Sequence, residues 1–240
     1  MTPDELRRCE ARIGTLTKRH GLPAGAAGQL TSLLRVLVDD PLAPTAIREP
    51  LKAVDDHLAD SLVALDLGVV RSASTIADLG SGAGIPGLPL AIAVPGAEVA
   101  LVESIARRCA FLERALDACG ISNARVVQTR VEAWIDGLGG FDLVTARALA
   151  PLGVVVEYAA PILRLGGTLM VWRGRRDPRD EEIASNAAAE LGMEPRDIVS
   201  VRPYPAAKQR HLHLMSKVTE TPRGFPRRAG MALKRPLGVG

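Results

Sequence analysis

The chain has 240 residues, 47% of them hydrophobic and 24% charged, with 30 basic and 27 acidic side chains for a formal charge of +3. That length allows one domain with an extension or two small ones and buries a full core without disulfide or metal staples, and the composition is that of a globular rather than a disordered chain. A charge so near neutral does not by itself point to a polyanion partner. About five arginines stand for every lysine. Guanidinium favours bidentate phosphate binding, although codon use in a G+C-rich genome gives the same skew.

Cys9, Cys109 and Cys119 are an odd, scattered set, which argues against a disulfide framework and against a zinc site. The N-terminus is charged from residue four, unlike a signal peptide, and the longest apolar run (residues 85–94) holds two prolines and is too short to span a bilayer. These features lead us to expect a cytoplasmic protein with no membrane segment and no metal.

Residues 4–65 read as helical. Leu30, Leu33, Leu34 and Leu37 recur at helical spacing, the segment from Lys52 to Leu65 does likewise, and Pro41, Pro44 and Pro50 separate the two. On that stretch His57, Asp60 and Ser61 share a helix face. They could form a lid near a ligand, but a local lock between the helical segment and the sheet is the plainer reading. From Ser74 onward short β-rich runs alternate with amphipathic stretches. TIADL, EVALV, ARVVQ, FDLVT and GTLMVW read as strands, and residues 86–94, 105–119, 150–163 and 180–191 as the helices between them. Such alternation implies a parallel sheet covered on both faces. IVSVR and RHLHLMS are joined by a short proline-containing link, so they are expected to form an antiparallel hairpin at the sheet edge. The chain thus divides into a helical segment (1–70), an α/β domain (71–218) and a basic tail (219–240). His211 and His213 share a strand face without a third ligand nearby, and no metal is proposed for them.

The most informative stretch joins the first strand to its helix. The strand ends near Asp78, Gly80, Gly82 and Gly84 follow at alternate positions, and Pro86 opens an apolar helix. Glycines let backbone pass close to a ligand, and a helix N-terminus offers free N–H donors. Gly82, Gly84 and Gly87 also satisfy the dinucleotide fingerprint, with Glu103 downstream for a ribose hydroxyl, so a nicotinamide dehydrogenase is one reading. S-adenosylmethionine is favoured instead. Asp78 would repel a pyrophosphate but suits a cationic amino-acid group, and the remaining chain lacks a paired catalytic His or Lys. Glu103, at the carboxyl end of the second strand, could accept both ribose hydroxyls. The RVEAW loop (residues 130–134) follows the third strand, where the backbone of Val131 and Glu132 could read an adenine edge.

Residues 202–240 carry nine basic side chains against Glu220 alone, leaving the first 201 residues net acidic. Arg173, Arg175, Arg176 and Arg179 form a second basic cluster. Beside a methyltransferase pocket, such groups are candidates for phosphate binding. Trp172, Tyr204 and Phe225 are candidate base-stacking groups, with packing the plainer reading for each.

Taken together, these residues resemble the class I methyltransferases that use S-adenosylmethionine. More narrowly, the chain resembles the bacterial 16S ribosomal RNA guanine-N7 methyltransferases, also called glucose-inhibited division protein B. The resemblance runs from about residue 38 to 237. It rests on DLGSGAGIPGLPLA (78–91), ES..RR..FL (103–112), RVE (130–132) and TARALA (145–150), together with HLADSL (57–62), RHL (210–212) and FPRRAGMALKRPL (225–237). It implies a Rossmann-like, mostly parallel seven-stranded sheet with an antiparallel edge hairpin, helices on both faces and an N-terminal helical segment. It implies cofactor contacts from Gly80 and Ile85, an adenine site at Val131 and Glu132, and Arg147 at the boundary between cofactor and substrate. It further implies methylation at N7 of one guanine in the decoding-centre loop of 16S ribosomal RNA, naked or in the small subunit. We take Arg173, Arg210, Arg227, Arg228 and Lys234 as RNA contacts and expect a monomer. A methyltransferase acting on a small molecule or a protein is the rival within the class. Where the family usually has Asn-Leu-Thr before the glycine loop, this chain has Ala43-Pro44-Thr45.

Overall fold

The computed structural model describes residues 1–239. Helix α1 (Pro3–His20) starts on a capping box in which Thr2 and Glu5 bond each other's backbone N–H. Helix α2 (Ala26–Asp39) buries Leu30, Leu33, Leu34 and Leu37, the stripe expected from their spacing. After a turn-rich link comes α3 (Pro50–Ala53), a π-helical turn (Val54–Ala59), α4 (Asp60–Leu62), a 3-10 turn (Val63–Asp66) and α5 (Gly68–Ser72). The periodicity predicts one continuous helix there, and the π turn interrupts it.

The α/β part then runs β1 (Thr75–Leu79), α6 (Gly87–Ala93), β2 (Glu98–Glu103), α7 (Ala106–Cys119), β3 (Ala124–Gln128), β4 (Phe141–Arg147), α8 (Leu152–Ala159), β5 (Leu163–Arg173), α9 (Pro178–Glu190), β6 (Met193–Ser200) and β7 (His211–Lys217), with a short α10 (Met231–Lys234) in the tail. The seven strands form one sheet in the order β3-β2-β1-β4-β5-β7-β6. The first five are parallel, and β7 runs antiparallel to both β5 and β6. The sheet and edge hairpin match the expectation. Strand β6 begins earlier than residue 198, because its polar first half pairs across an irregularity between Pro195 and Ile198. Helix α8 is shorter than residues 150–163, since Pro151 starts it and Pro161 follows its end.

Alternation along the strands sorts the core into two layers. Ile76, Val99, Leu101 and Leu143 face α1, α2, α6 and α7, while Ala77, Leu79, Ala100, Val102 and Val144 face α8 and α9. The N-terminal segment is therefore one of the sheet's two covers and shares its core. The basic tail belongs to the other layer: Ala232 is fully buried there, with Phe225 and Leu237 packed against it. Cys9, Cys109 and Cys119 are buried and free. Among the described residues no helix is long and apolar enough to cross a membrane.

Candidate active site

Beyond β1 the chain turns at Gly80, whose φ of 68° costs an ordinary L-residue about 1–2 kcal/mol. A Cβ built there would lie 2.5 Å from the end of the Leu149 side chain, which would have to move. The N–H groups of Gly80 and Ser81 donate to the Val102 carbonyl at 2.8 and 3.1 Å, pinning the loop to the end of β2. Asp78 lies beneath this loop and is 1% exposed. Its carboxylate accepts from the Thr145 hydroxyl at 2.9 Å and from the Gly87 N–H at 3.2 Å. Burial pushes the carboxyl up to about 6, against the pull of those hydrogen bonds. Asp78 thus ties β1 to β4 and to the start of α6. It is not among the residues that line the cavity above it. Ile85 is packed in the core, and Gly82 and Gly84 shape the loop without lining the cavity.

Above the loop a cavity of about 270 Å³ opens at the carboxyl ends of β1, β2 and β4. Gly80, Glu103, Val131, Glu132 and Ala148 are among its walls. Glu103 is oriented by its own following turn: one carboxylate oxygen accepts from the N–H groups of Ser104 and Ile105 at 2.7 and 2.9 Å. The other takes two longer bonds, from Gly82 N–H at 3.2 Å and Arg108 at 3.4 Å. A diol entering the cavity would displace the longer pair and leave the shorter one intact. Glu132 accepts the Gly230 N–H at 2.8 Å, so the tail reaches this cavity, and Leu233 forms part of its wall. Tyr158 lines the same space, and burial together with the Glu132 and Glu157 charges pushes its phenol up to about 12.

A second cavity, about 300 Å³, adjoins the first at the ends of β4 and β5. The two share Ala148, the one non-glycine residue with positive φ (53°) among those described. The left-handed turn there sends Arg147 into the second cavity and Leu149 onto the glycine loop, a strained arrangement of the kind found at functional sites. The second cavity is organised around Asp60, which is 2% exposed. Arg147 approaches its carboxylate at 3.0 Å and Arg210 at 3.1 Å, while the Trp172 indole N–H donates to its backbone carbonyl at 2.8 Å. Burial raises the Asp60 carboxyl, and the two guanidiniums oppose that. Arg147 also donates to the Asp56 carbonyl at 2.9 Å. Asp56 in turn is bonded by Lys52 and by the Tyr204 hydroxyl. The π turn carries Asp56 and ends just before Asp60, consistent with the frequent use of such turns at functional sites. His57 lies behind them, its Nε2 2.9 Å from the Thr45 hydroxyl. Burial and the Arg147 charge pull it down to about 4, so it is neutral.

Among His57, Asp60 and Ser61, Asp60 joins the helical segment to the sheet, while His57 bonds Thr45 and Ser61 bonds the His57 carbonyl within the segment. Of the groups taken as RNA contacts, three are held internally. Arg173 is paired with Asp180, Arg210 with Asp60, and Arg227 with the buried Glu157 at 2.6 Å through its Nε. Arg228 and Lys234 are exposed, with no carboxylate within salt-bridge distance among the described residues. Trp172, Tyr204 and Phe225 are all packed, Tyr204 on Asp56 and Phe225 beneath the Arg227 guanidinium. Sequence reasoning missed Ala148, Leu149 and Tyr158. Ala148 and Leu149 lie in the TARALA motif after β4, whereas Tyr158, inside α8, carried no advance signal.

A mostly parallel sheet of order 3-2-1-4-5-7-6 with an antiparallel β7, a glycine turn after β1 and a cavity above it is the architecture of the class I methyltransferases. The chain belongs to the rRNA small subunit methyltransferase G (GidB) family, whose model matches residues 40–213. It is 38% identical over 199 residues to the Ribosomal RNA small subunit methyltransferase G of Rubrobacter xylanophilus, covering 80% of this chain and 76% of that protein. The protein of the same name from Chloroflexus aggregans is 38% identical over 206 residues, covering 84% and 85%. Among solved structures, a SAM dependent methyltransferase from Aquifex aeolicus aligns with a TM-score of 0.55 at 15% identity, over 69% of this chain and 93% of that one. That likeness concerns the fold alone.

Proposed function

We propose that this chain methylates small-subunit ribosomal RNA, using S-adenosylmethionine as donor and N7 of a guanine as acceptor. The observation that carries this reading is the pair of cavities joined at Ala148, the second ringed by guanidiniums and free of any available base. The first cavity suits a nucleoside: Glu103 is oriented for a diol, and the 130–132 backbone forms the wall where an adenine edge would lie. Gly80 supplies the close backbone approach that the amino-acid end needs. When bound, S-adenosylmethionine supplies a methyl on a cationic sulfur.

Guanine N7 carries a lone pair and no proton, so the protein needs no general base. The second cavity matches that requirement. Its one lining carboxylate, Asp60, lies between Arg147 and Arg210, and His57, outside this cavity, is turned toward Thr45 and made a weak base by burial and the Arg147 charge. The work left to the chain is to hold the ring in line, which contributes about 7–11 kcal/mol in favourable cases. Arg147, fixed from two sides by Asp60 and the Asp56 carbonyl, is suited to clamp a guanine O6 or a phosphate. In A-form RNA the N7 edge faces a groove too deep and narrow for a protein, so the base must come from a loop or be extruded. The family and the names of its relatives support ribosomal RNA as the substrate class.

Incubation with methyl-labelled S-adenosylmethionine and either naked 16S ribosomal RNA or small-subunit particles tests the reading. Label in a single guanine of the RNA is expected. Label in protein alone, or none in either RNA form, would overturn it.

A further inference from the structure

The basic tail is not a solvated terminus. Its first anchor is Arg227, which grips the buried carboxylate of Glu157 through two nitrogens and also donates to the Arg235 carbonyl at 2.9 Å. A second anchor is the Gly230 N–H, which donates to Glu132 at 2.8 Å. Ala232 is fully buried in the sheet's second layer, and Leu233 forms part of the wall of the first cavity. The opposite face is different. Arg223, Arg228, Lys234 and Arg235 are exposed, and none has a carboxylate partner among the described residues. One short segment therefore contacts the cofactor cavity on its inner side and offers unpaired cations on its outer side.

We propose that residues 225–237 act as a strap whose outer face docks RNA phosphates and whose inner face closes the cofactor cavity, so that RNA and cofactor bind cooperatively. The inference rests on the reading of the chain as an RNA methyltransferase. Unpaired exposed cations gain from phosphate contact, whereas Arg227, already paired, does not. Phosphates bound across Arg228, Lys234 and Arg235 would hold α10 against the cavity and reduce opening at Leu233 and Gly230. By linkage, whatever RNA does to cofactor affinity, the cofactor does equally to RNA affinity. The arrangement would favour capture of donor on the RNA-bound enzyme and release of the spent cofactor after the RNA leaves.

The test is equilibrium dialysis of labelled S-adenosylhomocysteine with the full chain, alone and with saturating naked 16S ribosomal RNA. RNA is expected to tighten binding by about fivefold or more. The combined variant Arg228→Gln, Lys234→Gln, Arg235→Gln should keep the RNA-free affinity and lose the tightening, even with RNA raised above its own weakened dissociation constant. Arg227→Lys, which breaks the two-pronged grip, should weaken RNA-free S-adenosylhomocysteine binding several-fold. A lower melting temperature for Arg227→Lys with unchanged affinity would overturn the strap and leave a merely structural anchor. Affinity indifferent to RNA in an enzyme that still methylates RNA would overturn the coupling and leave the proposed function standing. An enzyme that neither binds nor methylates RNA would remove both.

Discussion

The two cavities that meet at Ala148 are built by different means. The first is a backbone construction, in which Gly80 turns with a positive φ and Glu103 is oriented by the amides of the two residues after it. The second is held by side chains from distant parts of the chain, with Asp60 from the helical segment joining Arg147 from β4 and Arg210 from before β7. The division matches the two tasks proposed for them. An invariant donor suits a rigid, locally encoded cradle, whereas a large polyanion suits a charged wall assembled by the tertiary fold.

The strongest way to break the contrast is to remove the centre of the second cavity. Asp60→Asn leaves two guanidiniums facing each other without their carboxylate and should cost about 3 kcal/mol of stability in urea unfolding. It should also slow methyl transfer by about 100-fold through misplacement of Arg147, while S-adenosylhomocysteine affinity changes little. Equal loss of both functions would mean that the two cavities are not separately built.

A second test uses pH. His57 has its folded pKa depressed to about 4, so the stability it contributes is present above 6.5 and is lost as pH falls through 4. Asp78 has its folded pKa raised to about 6, so its contribution is present below 3.8 and is lost as pH rises through 6. Each shift corresponds to about 3 kcal/mol, and the two oppose each other across the same window. Asp78→Asn should remove one partner, so that stability rises more steeply from pH 4 to 6.5 than in the unaltered chain. Parallel curves for the two proteins would show that Asp78 does not titrate as its burial requires.

The first cavity is broken more gently. Gly80→Ala puts a Cβ against Leu149 in a left-handed turn and should cost about 1–2 kcal/mol. S-adenosylhomocysteine should bind about tenfold more weakly, a change of about 1.4 kcal/mol, with RNA affinity in its absence unaltered. The smallest effect concerns salt. Arg228→Ala with Lys234→Ala should flatten the slope of log affinity for RNA against log salt by about 1.4, the value for two single-strand phosphate contacts. Arg173→Ala, whose guanidinium is already held by Asp180, should change that slope less.

The same contrast explains what could be read in advance. Strand–helix alternation, the edge hairpin and the glycine turn are local patterns, and all are found, although β6 begins earlier and α8 is shorter than the pattern implies. Asp78 was legible as a position, but its hydrogen bonds to Thr145 and Gly87 were not. Whether a carboxylate at a strand's end looks up into a cavity or down at Thr145 depends on the register between β1 and β4, which pairs these two residues. The lock at Asp60 joins residues as many as 150 apart in the chain, and no local period records such a contact. The π turn lies within an unbroken apolar periodicity and leaves no mark there. The tail was legible in its charge and in the stretch FPRRAGMALKRPL, but not in its contacts. Arg227 and Arg228 are identical neighbours in sequence, yet one is bound to buried Glu157 and the other is exposed.

The most direct measurement is the identity of the methylated nucleoside. Labelled RNA digested to nucleosides and resolved by mass spectrometry should yield 7-methylguanosine, with a transfer rate that does not rise with pH between about 6.5 and 8.5 because no base is required. Label on an exocyclic amine, on guanine N1 or on a ribose hydroxyl would require a proton acceptor that the second cavity lacks, and would contradict the account.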